Sequence, residues 1–187
     1  MIILIAGCTH TGKTLLAQKL LERLHYPYLS IDHLKMGLIR SGATVLSSED
    51  DERLTDYLFK IVREIVKTNI ENRQNLIVEG CYIPFNFVKD FTPEYLLDIH
   101  YICIIFSRDY IEKHFADILA HENDVEKRCC DSGLTAEILI RTNEYNLKMC
   151  EIYNLAYILI DEKFDIEDIV GKLNSRIFAI IQNGRLK

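Results

Sequence analysis

Gly7, Gly12, Lys13 and Thr14 stand at the spacing G-x-x-x-x-G-K-[ST], filled here by Gly7-Cys8-Thr9-His10-Thr11-Gly12-Lys13-Thr14. Each residue type has a use against a polyphosphate. Glycines let the backbone wrap closely, so that successive N–H groups point inward at phosphate oxygens. A helix opening at the second glycine adds the positive end of its dipole. The Lys13 ammonium reaches the outer phosphates, and the Thr14 hydroxyl is a hard donor for Mg²⁺. The bland alternative is an accidental glycine turn ahead of a helix. Context argues against it: the apolar run Ile2–Ala6 leads into Gly7, and Leu16, Leu20 and Leu24 form a helical stripe just after Thr14.

The elements that must hold this loop follow from the rest of the pattern. Apolar runs of strand length recur at Ile2–Ala6, Tyr28–Ile31, Leu76–Val78, Tyr101–Phe106 and Ala156–Ile160. They lack strict alternation, as expected of strands covered on both faces in a parallel sheet. Helical stripes lie between them: Leu54, Leu58, Ile61 and Ile65; Ile111, Phe115, Ile118 and Leu119; Ile138, Tyr145, Met149 and Ile152. A last stripe runs through Ile166, Ile169, Val170, Leu173 and Ile177, with Asp165 as its N-cap. Strand and helix in alternation predict a three-layer α/β sandwich with right-handed crossovers. Two connections, 31–76 and 106–156, exceed what a single crossover helix needs. Excursions at the carboxyl ends of parallel strands are where such folds build substrate sites.

Composition narrows the function classes. A chain of 187 residues with net charge −6 and 49% hydrophobic residues suits one globular domain and excludes whole-chain disorder. A nonspecific nucleic-acid binder is normally basic, so neither nucleic acid nor membrane is expected as a partner. No apolar run reaches the roughly 18–20 residues that span a bilayer. The apolar start lacks a basic stretch and reads as a buried strand rather than a leader. The six cysteines show no C-x-x-C spacing, which favours a reduced, cytoplasmic protein without a zinc site.

With its phosphate loop and element order, the chain resembles P-loop kinases of the nucleoside-monophosphate-kinase-like group. That group includes adenylate and shikimate kinases, chloramphenicol phosphotransferase and zeta-toxin-like enzymes. The resemblance spans nearly the whole chain as an element order, and its specific motif is the loop. It implies a five-stranded parallel sheet in order 2-3-1-4-5, ATP and Mg²⁺ as cofactors, and nucleotide binding by Gly7 through Thr14. Residues 1–187 are expected to form a single domain, with an acceptor-binding excursion at about 32–75 and a lid at about 120–133. The loop alone does not make a kinase, but the [NT]KxD base-reading motif of GTPases is absent, and the third strand is short, ending Leu76-Ile77-Val78-Glu79-Gly80.

On the acceptor side, Asp32 follows the second strand. In several relatives an Asp there orients and deprotonates the acceptor hydroxyl or helps hold the metal. Asp32 also suits the N-cap of the next helix, and the two roles are compatible. Arg40, two turns on, corresponds in region to an arginine that grips the acceptor phosphate in monophosphate kinases; a surface arginine is the plain alternative. Glu79-Gly80-Cys81-Tyr82-Ile83-Pro84 resembles the adenylate-kinase segment Asp-Gly-Phe-Pro-Arg, with departures. Glu79 replaces Asp, and Phe85 stands where an arginine is expected. Glu79 is a candidate for ordering Mg²⁺-bound water or an acceptor hydroxyl. Gly80 would permit close substrate approach, and Tyr82 and Phe85 could flank an organic acceptor or pack in the core.

On the lid side, Arg128 is the first candidate for neutralising the transferring phosphoryl group, as lid arginines do in related kinases. Arg141, on the following helix, is the second; either could also belong to a solvated face. Cys8 lies near a helix N-terminus, which lowers a thiol's pKa, but it occupies a variable motif position and has no expected catalytic role. The leading expectation is an ATP-dependent kinase that phosphorylates a hydroxyl-bearing small molecule, with Lys13, Asp32 and Arg128 catalytic. A nucleoside monophosphate kinase and a non-enzymatic ATP-sensing domain are the alternatives. The identity of the acceptor and the oligomeric state stay open.

Overall fold

β1, Ile2–Gly7, sends Ile2, Leu4 and Ala6 into one apolar cluster and Ile3 and Ile5 into another. This alternation is the reason an uninterrupted apolar run is needed: both faces of the strand are core. The computed structural model describes residues 1–121 and 133–173. Within them, β1, β2 (Tyr28–Ser30), β3 (Leu76–Glu79), β4 (Ile99–Phe106) and β5 (Tyr157–Ile160) form one sheet in order β2-β3-β1-β4-β5. All four pairings are parallel.

One face is covered by α3 (Asp51–Glu71), through Leu54, Leu58, Phe59, Val62 and Val66. α2 (Ile31–Arg40) lies at its border and contributes the buried Ile31. The other face is covered by α1 (Lys13–Leu24), through Leu16, Ala17 and Leu20, and by α5 (Arg108–Ala120), through Tyr110, Ile111 and Ile118. Residues 166–173 are also helical there, and Asp165 caps them as expected, its Oδ1 accepting from the amides of Glu167 and Asp168. Ile177 lies outside the described residues. A four-residue helix, α4 (Pro93–Leu96), precedes β4.

α6 (Ala136–Ile152) is fixed by two devices. Thr135 caps it, its hydroxyl accepting from the Ile138 amide. The buried Asn143 accepts from the Phe106 amide at 2.9 Å and donates to Leu139 O at 2.8 Å. The stripe that marks this helix in the sequence is not its core face. Ile138, Tyr145 and Ile152 are exposed, while Leu139, Ile140, Asn143 and Cys150 are buried. Spacing alone could not separate the two faces, because both carry apolar residues. A milder rotation applies to α3, where Phe59, Val62 and Val66 are buried rather than Ile61 and Ile65.

Two boundaries also differ from the sequence reading. Ile31 opens α2 instead of ending β2, so Asp32 sits in the first helical turn. β5 is an edge strand with Tyr157 and Leu159 exposed. Its apolar content therefore reflects one covered face, not two.

Candidate functional site

Because every pairing is parallel, the carboxyl ends of the strands share one edge of the sheet. Register places Glu79 opposite Ile5 on one side and Ser30 on the other. The phosphate loop leaves β1 at this edge. Gly12 adopts a left-handed φ of 81°, and a Cβ there would lie 2.6 Å from Phe164 Cζ. Only glycine satisfies both the backbone and the ring pressed against it. Within the loop the carbonyl of Cys8 accepts from Lys13 Nζ at 2.5 Å and from Thr11 Oγ1 at 2.9 Å. Thr9 Oγ1 and His10 Nδ1 are 2.9 Å apart. Lys13 thus folds back over the loop it belongs to.

Lys13 is buried, as is Glu79 at 1% exposure. Burial alone pushes the Lys13 ammonium down. Negative charge at the Cys81 sulfur and on the carboxylates of Glu79 and Asp32 outweighs it and holds the pKa above the ordinary lysine value. Thr14 Oγ1 donates to Glu79 Oε2 at 3.3 Å. Beside this pair, the buried Ser30 hydroxyl has no hydrogen-bond partner among the described residues. A hydroxyl and a carboxylate at the loop suit Mg²⁺, which takes few protein ligands and completes its shell with water and substrate phosphate oxygens. No cluster of three or more His, Cys, Asp or Glu residues that could hold a metal occurs among the described residues.

Asp32 belongs to a chain of polar contacts that its sequence neighbourhood did not reveal. Lys35 Nζ lies 2.8 Å from Asp32 Oδ1 and donates to the Tyr82 hydroxyl at 2.9 Å. Tyr82 in turn donates to Asp51 Oδ1 at 2.9 Å. The Lys35 ammonium also stands 4.9 Å from the Tyr82 ring centroid. Burial lowers the Lys35 pKa, but the hydrogen bonds to Asp32 and Tyr82 more than reverse this. Burial pushes the Tyr82 phenol up to about 12 despite the neighbouring ammonium. The four residues therefore form a continuous chain of polar contacts linking α2, the segment after β3, and α3.

Asp51 opens onto a cleft of about 680 Å³. Ala6 and Gly7, the last residues of β1, close one end. The walls are the start of α3 (Asp51, Glu52, Thr55), the segment 81–86, and one face of α6 with Tyr145, Asn146, Met149 and Tyr153 at its end. Asn146 Nδ2 donates to Cys8 Sγ at 3.1 Å, tying this wall to the phosphate loop. Phe85 and Tyr145 meet edge to face, with centroids 6.0 Å apart. The aromatic pair expected to act together is thus divided: Phe85 lines the cleft, whereas Tyr82 is core with a tethered hydroxyl. Tyr145 and Met149 were legible as an apolar stripe; that the stripe lines a cleft was not.

The remaining sequence candidates fall as follows. Gly80 approaches protein, not substrate: a Cβ there would lie 2.9 Å from Ile31 Cβ. Cys8 departs from expectation, since burial raises its pKa from 9.0 to about 11 and outweighs the lowering influence of Lys13. Arg40 is exposed on the last turn of α2, and neither Arg40 nor Asp32 lines the cleft; Arg141 is exposed on α6. Arg128 and most of the expected lid, residues 122–132, lie outside the described residues.

Strand order, loop placement and the helices on both faces define a P-loop NTPase fold. No protein-family model matches the chain, and no curated protein matches it in sequence. Solved structures do. A gluconokinase from Sinorhizobium meliloti 1021 is similar at a TM-score of 0.60 and 14% identity, over 98% of this chain and 95% of that one. The shikimate kinase of Aquifex aeolicus gives 0.58 and 14%, over 96% and 97%. The shikimate kinase of Bacteroides thetaiotaomicron gives 0.57 and 14%, over 95% and 98%. At such identity the likeness is one of fold.

Proposed function

We propose that this chain is an ATP-dependent kinase that phosphorylates a hydroxyl group of a small molecule. The observation that carries this reading is the continuity of the cleft with the phosphate loop: its end wall is Ala6 and Gly7, so an acceptor seated in it abuts the loop. The similar folds, a gluconokinase and shikimate kinases, are kinases named for small-molecule acceptors, which supports the same reading.

The geometry supports the following residue roles. The loop amides and Lys13 bind and orient the phosphates, and Lys13 stabilises charge that builds there during transfer. Thr14 and Glu79 would hold Mg²⁺. ATP supplies the transferable γ-phosphoryl group. Asp32 does not itself line the cleft, but its field reaches Lys13 at the loop end; there it aligns the acceptor hydroxyl and takes its proton at the carboxylate. Lys35 keeps that carboxylate oriented through the 2.8 Å contact. A phosphate acceptor is disfavoured because none of the described residues lining the cleft is an arginine or lysine. We place the protein in a reducing, cytoplasmic setting, which the free thiols of Cys8, Cys81, Cys103 and Cys150 suit. Among the described residues no helix is long and apolar enough to cross a membrane.

The test is an ADP-release screen over nucleoside monophosphates, sugars, hydroxy acids and amino alcohols, with Lys13→Ala as control. Release driven by a non-phosphorylated alcohol supports the reading. Stimulation by a nucleoside monophosphate alone replaces it with the monophosphate-kinase alternative. Silence across the panel with ATP bound replaces it with the sensor.

A further inference from the structure

The charge of the cleft points to the charge of its occupant. Asp51 and Glu52 border it from the first turn of α3, and no described lining residue is cationic. The nearest lysines are engaged elsewhere: Lys35 on Asp32 and Tyr82, Lys13 on the phosphate loop. Carboxylates in a first helical turn also complement the helix dipole. Here they do more than that, because they face a cavity large enough for a small metabolite, and Asp51 is fixed at its rim by the Tyr82 hydroxyl. The opposite walls are aromatic, with Phe85 from the segment after β3 packed against Tyr145 of α6.

We propose that the acceptor is a hydroxyl compound carrying an ammonium group, of the amino-alcohol or amino-sugar class, and that Asp51, Glu52 and the aromatic wall select it by charge. The inference rests on the kinase reading above and adds the acceptor's chemical class. An ammonium group in the cleft gains attraction from two carboxylates and from ring faces. A carboxylate or phosphate in the same place meets two like charges, and no described lining residue is cationic. The preference therefore runs ammonium over neutral over anion. It is opposite in sign to what an acid acceptor would require.

The experiment compares small polyols of related size and different charge: glucosamine, glucose and glucuronate; an aminocyclitol, inositol and quinate; aminopropanediol, glycerol and glycerate. ADP release is measured with each, and ATP binding is measured separately. In any set that turns over, the ammonium member should exceed the neutral one in kcat/KM by about tenfold, the effect of one partly desolvated cation contact, with the anion slowest. In Glu52→Gln and in Asp51→Asn plus Glu52→Gln, that ratio should fall to within about threefold. Glu52 is exposed, so the single variant tests selectivity even if the double variant misfolds. Transfer with the neutral or anionic member preferred, or a preference that survives both variants, overturns this inference and leaves the kinase reading standing. No transfer to any member, with ATP bound, overturns both.

Discussion

Asp32 is held by Lys35, whose Nζ lies 2.8 Å from Asp32 Oδ1 across one turn of α2. The same ammonium donates to Tyr82, so the orientation of Asp32 depends on a residue from the segment after β3. Substituting Lys35 should therefore act through Asp32. Lys35→Met is expected to lower kcat by about tenfold or more, the scale of one lost charge-assisted hydrogen bond, with ATP affinity unchanged. Lys35→Arg should recover part of the loss. Steady-state kinetics beside a separate ATP-binding measurement checks this; equal losses in both variants and in ATP affinity would mean local unfolding of α2.

Lys13→Ala should leave the fold intact and reduce turnover on the order of 10²-fold or more, as loss of a single transition-state donor does. Circular dichroism and ADP release together check it. Unchanged turnover in the folded variant would remove the role given to the loop.

Asp32→Asn should nearly abolish transfer while ATP still binds, since an alcohol gains from a carboxylate that aligns it and accepts its proton. Arg40→Ala should change little, because Arg40 is exposed on the last turn of α2. Kinetics on the best acceptor decides between them. A crippling Arg40→Ala with a mild Asp32→Asn would indicate a phosphate acceptor.

Gly80→Ala is expected to cost stability, because the new Cβ would stand 2.9 Å from Ile31 Cβ inside the core. The scale is that of overpacking, about 1–3 kcal/mol. Thermal unfolding should show it. An unchanged melting temperature would mean that α2 shifts freely, and Asp32 with it.

Stability should fall on the alkaline side, partly through Cys8. Its pKa is raised from 9.0 to about 11 in the folded state by burial. The folded chain then keeps the proton that the unfolded chain loses. The contribution is complete below about pH 9 and is lost as pH rises through about 11. Denaturant titrations across that range should show a shallower decline for Cys8→Ser. At neutral pH the buried Cys8 thiol should also alkylate far more slowly than the exposed Cys81.

By itself the sequence determined the phosphate loop and the layered α/β plan. Both rest on local signals: a fixed spacing of glycine, lysine and threonine, and apolar runs whose length and order dictate strand and helix. The Asp165 cap was equally local. Only the tertiary structure decided which face of α6 is core. Leu139, Ile140 and Cys150 compete there with Ile138, Tyr145 and Ile152, and the Asn143 bond to the Phe106 amide settles the rotation. That rotation turns Tyr145 and Met149 into cleft walls. The Asp32–Lys35–Tyr82–Asp51 relay was likewise invisible, since its members come from three separate segments and no spacing rule joins them. Register decided the rest: pairing β3 between β1 and β2 brings Glu79 beside Thr14, a contact set by sheet order rather than by distance along the chain.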